Sequence, residues 1–64
     1  MTENMKEWLK QLYLEAAEDH LVAASNERLW SHGSDTDEAA VLHMRNANEH
    51  WEFADMLRDM ANEI

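Results

Sequence analysis

Cysteine and proline are absent from the 64-residue chain, and Gly33 is its only glycine. Without cysteine, the chain forms neither a disulfide framework nor a thiolate zinc site. Without proline, and with many Ala, Leu, Glu and Met residues, it has the composition of an all-α protein. The length allows a single domain, which we place over residues 1–64.

Basic residues are also scarce, since five Lys and Arg stand against fourteen Asp and Glu, for a formal net charge of −9. Binding to phosphates needs clustered Lys and Arg, so we expect no direct nucleic-acid binding. An anionic membrane surface would repel the chain, and no apolar run approaches the ~18 residues of a membrane span. The N-terminus lacks the basic and apolar regions of a signal peptide, so we expect a cytoplasmic protein.

The stretch from Ser31 to Glu38 is polar and lies at the midpoint of the chain. Gly33 within it predicts the turn of a helical hairpin, because the flanking segments both have helical composition and similar length. The expected fold is all-α, an antiparallel two-helix hairpin over about residues 3–31 and about residues 35–63.

The ends of these helices have recognisable capping residues. Thr2 is the expected N-cap of the first helix, and Gly33 is expected to end that helix in the left-handed conformation. For the second helix we expect Ser34 or Asp35 as N-cap. Asp35 and Glu38 have the spacing of a capping box.

Both helices carry apolar stripes on a helical wheel. The broad face of the first helix has Tyr13, Ala17 and Ala24 at its edge and contains Met5, Trp8, Leu9, Leu12, Ala16, His20, Ala23 and Trp30. A weaker second stripe consists of Leu14, Leu21, Val22 and Leu29. The second helix has a heptad seam with alternating spacings of four and three, formed by Thr36, Ala40, His43, Ala47, His50, Ala54, Leu57, Ala61 and Ile64.

A lone hairpin would leave the second stripe of the first helix in water. Chains below ~70–80 residues usually need a disulfide, a metal or a partner to be stable. We therefore expect a homodimer that forms a four-helix bundle. The predicted core and dimer residues are Leu9, Leu12, Leu14, Leu21, Leu29, Ala47, Ala54 and Leu57. The alternative is a hairpin that docks onto another protein and folds with it.

Three histidines point toward the helix interface. With a tight turn at Gly33, His20 is expected level with Ala47, and His43 and His50 about one turn to either side. The first interpretation is that they are hydrogen-bonded seam residues that set the register. The alternatives are a divalent metal site, which the carboxylates of Glu15, Asp19 and Glu27 could complete or orient, and a pH-responsive interface. We predict that the protein binds no metal and no cofactor.

Two pairs of carboxylates have the i, i+3 spacing that places both acids on one helix face, Glu15 with Glu18 and Glu52 with Asp55. These pairs resemble those of all-α nucleotide pyrophosphohydrolases of the MazG type. The resemblance implies an alternative function, a magnesium-dependent nucleotide hydrolase with these four residues as its catalytic set. The chain has no serine triad, Gly-rich phosphate loop or Walker pattern to support other catalysis.

The function that we predict is therefore not enzymatic. The size, acidity and lack of a catalytic motif are similar in general character to the small acidic inhibitors carried by phages and mobile elements. We expect a protein that binds and modulates another protein, inhibiting it by occupying a basic or nucleic-acid-binding surface of that partner. The expected contacts are Glu7, Glu15, Glu18, Glu49, Glu52, Asp55 and Asp59, with Trp30 and Trp51 as apolar anchors.

Overall fold

The computed structural model describes all of residues 1–64, which form two helices joined by a short turn. Helix α1 spans Glu3–His32 and helix α2 spans Asp37–Asn62. The helices pack against each other along their length, which confirms the predicted all-α hairpin. The hairpin is a thin rod with extents of 51 × 13 × 10 Å. Neither helix contains a stretch long and apolar enough to cross a membrane.

The start of α1 has the predicted cap. The hydroxyl oxygen of Thr2 accepts a hydrogen bond from the backbone N–H of Met5 at 3.2 Å. This bond satisfies one of the four N–H groups that the first helical turn leaves without a partner. Glu3 lies in the same turn, where its charge is favourable beside the positive end of the helix dipole.

The end of α1 differs from the prediction. Gly33 has φ −94° and ψ 7°, so it is not in the left-handed conformation. Its N–H donates to the carbonyl of Leu29, and the N–H of Ser34 donates to the carbonyl of Ser31. The hydroxyl of Ser34 donates to the carbonyl of Trp30 at 2.6 Å. The carbonyls of Leu29, Trp30 and Ser31 thus accept hydrogen bonds from backbone N–H groups and from the Ser34 hydroxyl, and no left-handed residue is needed.

The start of α2 also differs from the prediction. Its N-cap is Thr36, whose side-chain oxygen accepts from the N–H of Ala39 at 3.1 Å. The prediction of Ser34 or Asp35 as N-cap, with a capping box from Asp35 to Glu38, was wrong. The physical reason is that the hydroxyl of Ser34 already serves the C-terminus of α1, and the chain needs two more residues to reverse.

The longer turn changes the register of the hairpin. His20 contacts His50 and Glu27 contacts His43, whereas the predicted register placed His20 level with Ala47. The hydroxyl of Ser31 donates to the carbonyl of Ala40, which ties the two helices together beside the turn. The predicted register was therefore wrong by about one helical turn.

The seam between the helices is lined by small residues. The buried residues of the chain are all alanines, Ala17 and Ala24 on α1 and Ala47, Ala54 and Ala61 on α2, each at most 1% exposed. In the observed register Ala17 lies level with Ala54, and Ala24 with Ala47. The predicted heptad seam of α2 is thus buried or half-buried from Ala40 to Ala61, whereas Thr36 is the cap and Ile64 lies beyond the helix end.

The helical wheel predicted an apolar face on α1, but the centre of that face is not the part of α1 that contacts α2. Ala17 and Ala24, expected at its edge, form the centre of the contact with α2. Met5, Trp8 and Leu12, expected on the packed face, are exposed. Small residues occupy the seam because they allow the closest approach of the two helix backbones. Met5 and Leu12 lie to one side of the seam, and Trp8 lies on the outer surface of α1.

The hairpin therefore has two different sides flanking the seam, which follow from the heptad positions of the residues. We call one side the apolar face, formed by Met5, Leu9, Leu12, Ala16, Ala23 and Trp30 of α1 with Ala39, Leu42, Asn46, Phe53, Met56 and Met60 of α2. We call the other side the mixed face, formed by Glu7, Leu14, Leu21 and Arg28 of α1 with Asp37, Met44, Trp51 and Arg58 of α2.

Candidate functional site

Polar layers alternate with alanine layers along the seam. The Nδ1 atoms of His20 and His50 lie 2.9 Å apart, within hydrogen-bond distance. Such a bond needs one ring to donate a proton from Nδ1 and the other ring to accept with its lone pair. Phe53 stacks on His20 with ring centroids 5.4 Å apart, so this layer borders the apolar face.

The second polar layer joins a histidine to a carboxylate. His43 and Glu27 form a hydrogen-bonded pair across the seam, and both side chains are largely shielded from solvent. Trp30 contacts His43 edge-on, with ring centroids 5.9 Å apart. Glu27, which was expected to complete or orient the alternative metal site, pairs instead with His43. The sequence signal is that Ala17, His20, Ala24 and Glu27 repeat at alternating spacings of three and four.

The alternative metal site with three histidines is not assembled in the hairpin. His20 and His50 pair with each other, whereas His43 lies two helical turns farther toward the connecting turn and pairs with Glu27. No group of three or more His, Asp or Glu side chains comes together in a way that could hold a metal ion. The predicted convergence of His20, His43 and His50 was wrong because it depended on the register of a tighter turn.

The alternative site with four carboxylates is also not assembled. Glu15 and Glu18 lie on the outer side of α1, and Glu52 and Asp55 lie on the outer side of α2, all of them exposed. The two pairs face away from each other across the thickness of the hairpin. They contribute to no cluster of three or more acidic or histidine ligands.

Most carboxylates of the chain have no cationic partner. The ion pairs are Lys6 with Glu3, a neighbouring pair on the surface of α1, and His43 with Glu27 in the seam. The acids predicted to contact a partner are all exposed and belong to neither pair: Glu7, Glu15, Glu18, Glu49, Glu52, Asp55 and Asp59. The negative charge of the chain is therefore largely uncompensated within the hairpin.

The longest run of these acids follows one side of α2. Glu49, Glu52, Asp55 and Asp59 are spaced by three, three and four residues, so they form a continuous line on the helix surface that faces away from α1. We call this line the acidic ridge. Like charges at these spacings each destabilise the helix by about 0.2–0.5 kcal/mol. Bound cationic side chains would relieve that repulsion.

The tryptophans predicted as anchors occupy different sides of the hairpin. Trp30 is exposed beside the turn and lines an open concavity of about 440 Å³ together with Ser34, Ala39 and His43. Trp51 is half-buried on the mixed face, beside Arg28 in a second concavity of about 430 Å³. The two side chains therefore do not form one surface.

The predicted core and dimer residues fall into three groups. Ala47 and Ala54 are buried in the seam, and Leu57 is half-buried beside them. Leu14 and Leu21 are half-buried on the mixed face. Leu12 and Leu29 are exposed and Leu9 is half-buried. Phe53, Met56 and Met60, which the prediction did not select, extend the exposed apolar surface onto α2.

Comparison with protein-family models, with curated proteins and with solved structures finds no match for this chain.

Proposed function

We propose that the chain is a small acidic interaction protein of the cytoplasm that acts as a homodimer and inhibits another protein by occupying its basic surface. The observation that carries this proposal is the acidic ridge of α2. Its four carboxylates project from one rigid helix, and none of them has an ion-pair partner within the chain. Fixed charges of one sign attract a complementary surface and accelerate its association.

The fold supports this function better than it supports catalysis. The carboxylates and histidines that could perform chemistry are either paired in the seam or spread over opposite outer surfaces. The outer surfaces are straight and continuous over the length of the rod, a shape that suits contact with an elongated basic groove. A surface of this kind includes those that normally receive nucleic acid.

Capture from a lysate of the native host tests the proposal, with the chain immobilised and bound proteins identified by mass spectrometry. The test variant is E52Q/D55N, which removes two charges from the centre of the acidic ridge while keeping similar side-chain shapes. The control variant is D35N/E38Q, which removes the same charge from two exposed positions beside the turn that are not among the expected contacts. We expect a basic protein that the wild type and the control retain and the test variant releases.

The dependence of partner retention on salt concentration is a second test of the electrostatic mechanism. Contacts between exposed charges weaken as the screening length falls from about 10 Å at 0.1 M salt to about 3 Å at 1 M. Retention of the partner should therefore decrease steeply over this range. A partner that E52Q/D55N retains at full strength, or whose retention is the same at 1 M salt, would refute the electrostatic mechanism.

A further inference from the structure

The apolar face is uncharged along its centre. Its positions next to the seam hold large and small uncharged residues: Leu9, Ala16, Ala23 and Trp30 on α1, and Ala39, Asn46, Phe53 and Met60 on α2. The corresponding positions of the mixed face include Glu7, Arg28, Asp37 and Arg58. Asp19 and Glu49 lie only at the outer edges of the apolar face, where they can remain in water.

Large side chains on this face are exposed in the isolated hairpin. Phe53 is 50% exposed and Met56 is 54% exposed, and Met5, Leu12 and Met60 are also exposed. On the mixed face, by contrast, Leu14, Leu21, Met44 and Trp51 are already half-buried. Among the exposed large apolar side chains, Trp8, Val22, Leu29 and Val41 lie on the outer surfaces of the helices, whereas the apolar face carries the larger set of Met5, Leu12, Trp30, Leu42, Phe53, Met56 and Met60.

The solvent-accessible surface area of the hairpin is also larger than that of a typical folded monomer. The hairpin exposes 4946 Å² at a mass of 7.5 kDa. A folded monomer of this mass typically exposes about 4,200 Å². The radius of gyration is 15.1 Å, compared with about 11 Å for a compact chain of this length. The hairpin thus exposes roughly 700 Å² more than a self-sufficient domain does.

The dimensions of the apolar face match what a stable dimer needs. The rod is 51 Å long, and two adjacent helices with their side chains are about 20 Å wide. One face therefore offers about 1,000 Å², against the roughly 800 Å² that each partner contributes to a typical stable interface. An identical rod covers the whole length of this face.

We infer that the apolar face is the surface on which a second copy of the chain packs, giving a four-helix bundle with both acidic ridges on its outside. This inference rests on the dimer of the proposed function and specifies its interface. A second copy fits because it presents an uncharged face of the same length, whereas the basic partner is attracted to the ridges. Each copy carries a charge of −9, and this packing keeps most of those charges apart.

The test compares two matched variants by light scattering and sedimentation equilibrium. The variant L12Q/M56Q places one amide on each helix of the apolar face. The control V22Q/V41Q makes the same kind of change at exposed positions that lie outside that face. Glutamine adds no charge and suits a helix, so both variants should keep their helical circular dichroism.

We expect a dimeric wild type, a dimeric control and a monomeric L12Q/M56Q at the same concentration. The dissociation constant should rise by roughly 100-fold or more, because the dimer loses two apolar contacts per copy. A wild type that is monomeric up to millimolar concentration would refute the dimer itself. A dimeric wild type whose L12Q/M56Q variant stays equally dimeric, or whose mixed-face variant L21Q dissociates instead, would refute only the choice of face. Neither outcome concerns the acidic ridge, which capture tests separately.

Discussion

Replacing Ala54 by leucine tests whether the alanine seam holds the hairpin together. Ala54 is fully buried and level with Ala17, so the added isobutyl group would point at the backbone of α1. None of the surface concavities is lined by Ala54, so no adjacent space can receive the group. The helices must therefore separate or the leucine must adopt a strained rotamer.

The expected cost follows from the close packing. Overpacking a tight core typically costs about 1–3 kcal/mol. A chain of this length has a total stability of about 3–10 kcal/mol. At about 4–8 °C per kcal/mol, A54L should lower Tm by roughly 4–24 °C. The substitution adds apolar surface, so hydrophobicity alone would predict the opposite sign.

Thermal unfolding followed by circular dichroism measures this effect. The control is N48L, which introduces the same residue at an exposed position outside the seam and the apolar face. Protein concentration must be matched, because Tm of a dimer depends on it. If A54L melts at or above the temperature of N48L, the seam is not close-packed at Ala54.

Two further predictions concern the turn and the histidine layer. G33A should raise stability by about 0.4–1 kcal/mol in chemical denaturation, because φ of −94° suits alanine and the added Cβ would lie an ordinary 3.7 Å from the carbonyl of Leu29; a loss of stability would indicate a left-handed Gly33 after all. H20L and H50L should each destabilise by about 1 kcal/mol, since each leaves one Nδ1 without its partner. The double variant should cost less than their sum, and strict additivity in the cycle would mean that the 2.9 Å bond contributes nothing.

The hairpin could be predicted from the sequence because its signals are local. A lone glycine between two long helical segments, with Thr2 as a cap, defines the helices to within about two residues of each end. The heptad of α2 was also visible, since Ala47, Ala54 and Ala61 recur at a strict spacing of seven. Repeats of this kind encode the packed side of a helix directly.

The register could not be predicted because it depends on the conformation of the turn. Ser34 can cap α2 or bond back to α1, and the sequence does not distinguish these roles. Its bond to the carbonyl of Trp30 moves the start of α2 to residue 37. That small change pairs His20 with His50 instead of placing it near Ala47, and it removes the expected histidine cluster.

The packed side of α1 was misjudged for a different reason. Hydrophobicity on a wheel gives most weight to Trp8, Leu12 and Trp30, but close helix packing selects Ala17 and Ala24. The two criteria agree in most proteins, because bulky residues usually fill the core. Here they disagree, and the bulky residues remain exposed on the surface of the hairpin.

The alanine seam and the proposed dimer follow from the same physical property of the chain. A seam of methyl groups lets the two helices approach closely, but a methyl group buries little apolar area, and each buried CH₂ contributes only about 0.8 kcal/mol. No large side chain of the chain is fully buried. In the proposed dimer, burial of Leu12, Phe53 and Met56 supplies the stability that a core of leucines would supply inside one hairpin. Covering that surface with a second copy would join folding to self-association, and the acidic ridge would then be presented twice on one rigid body.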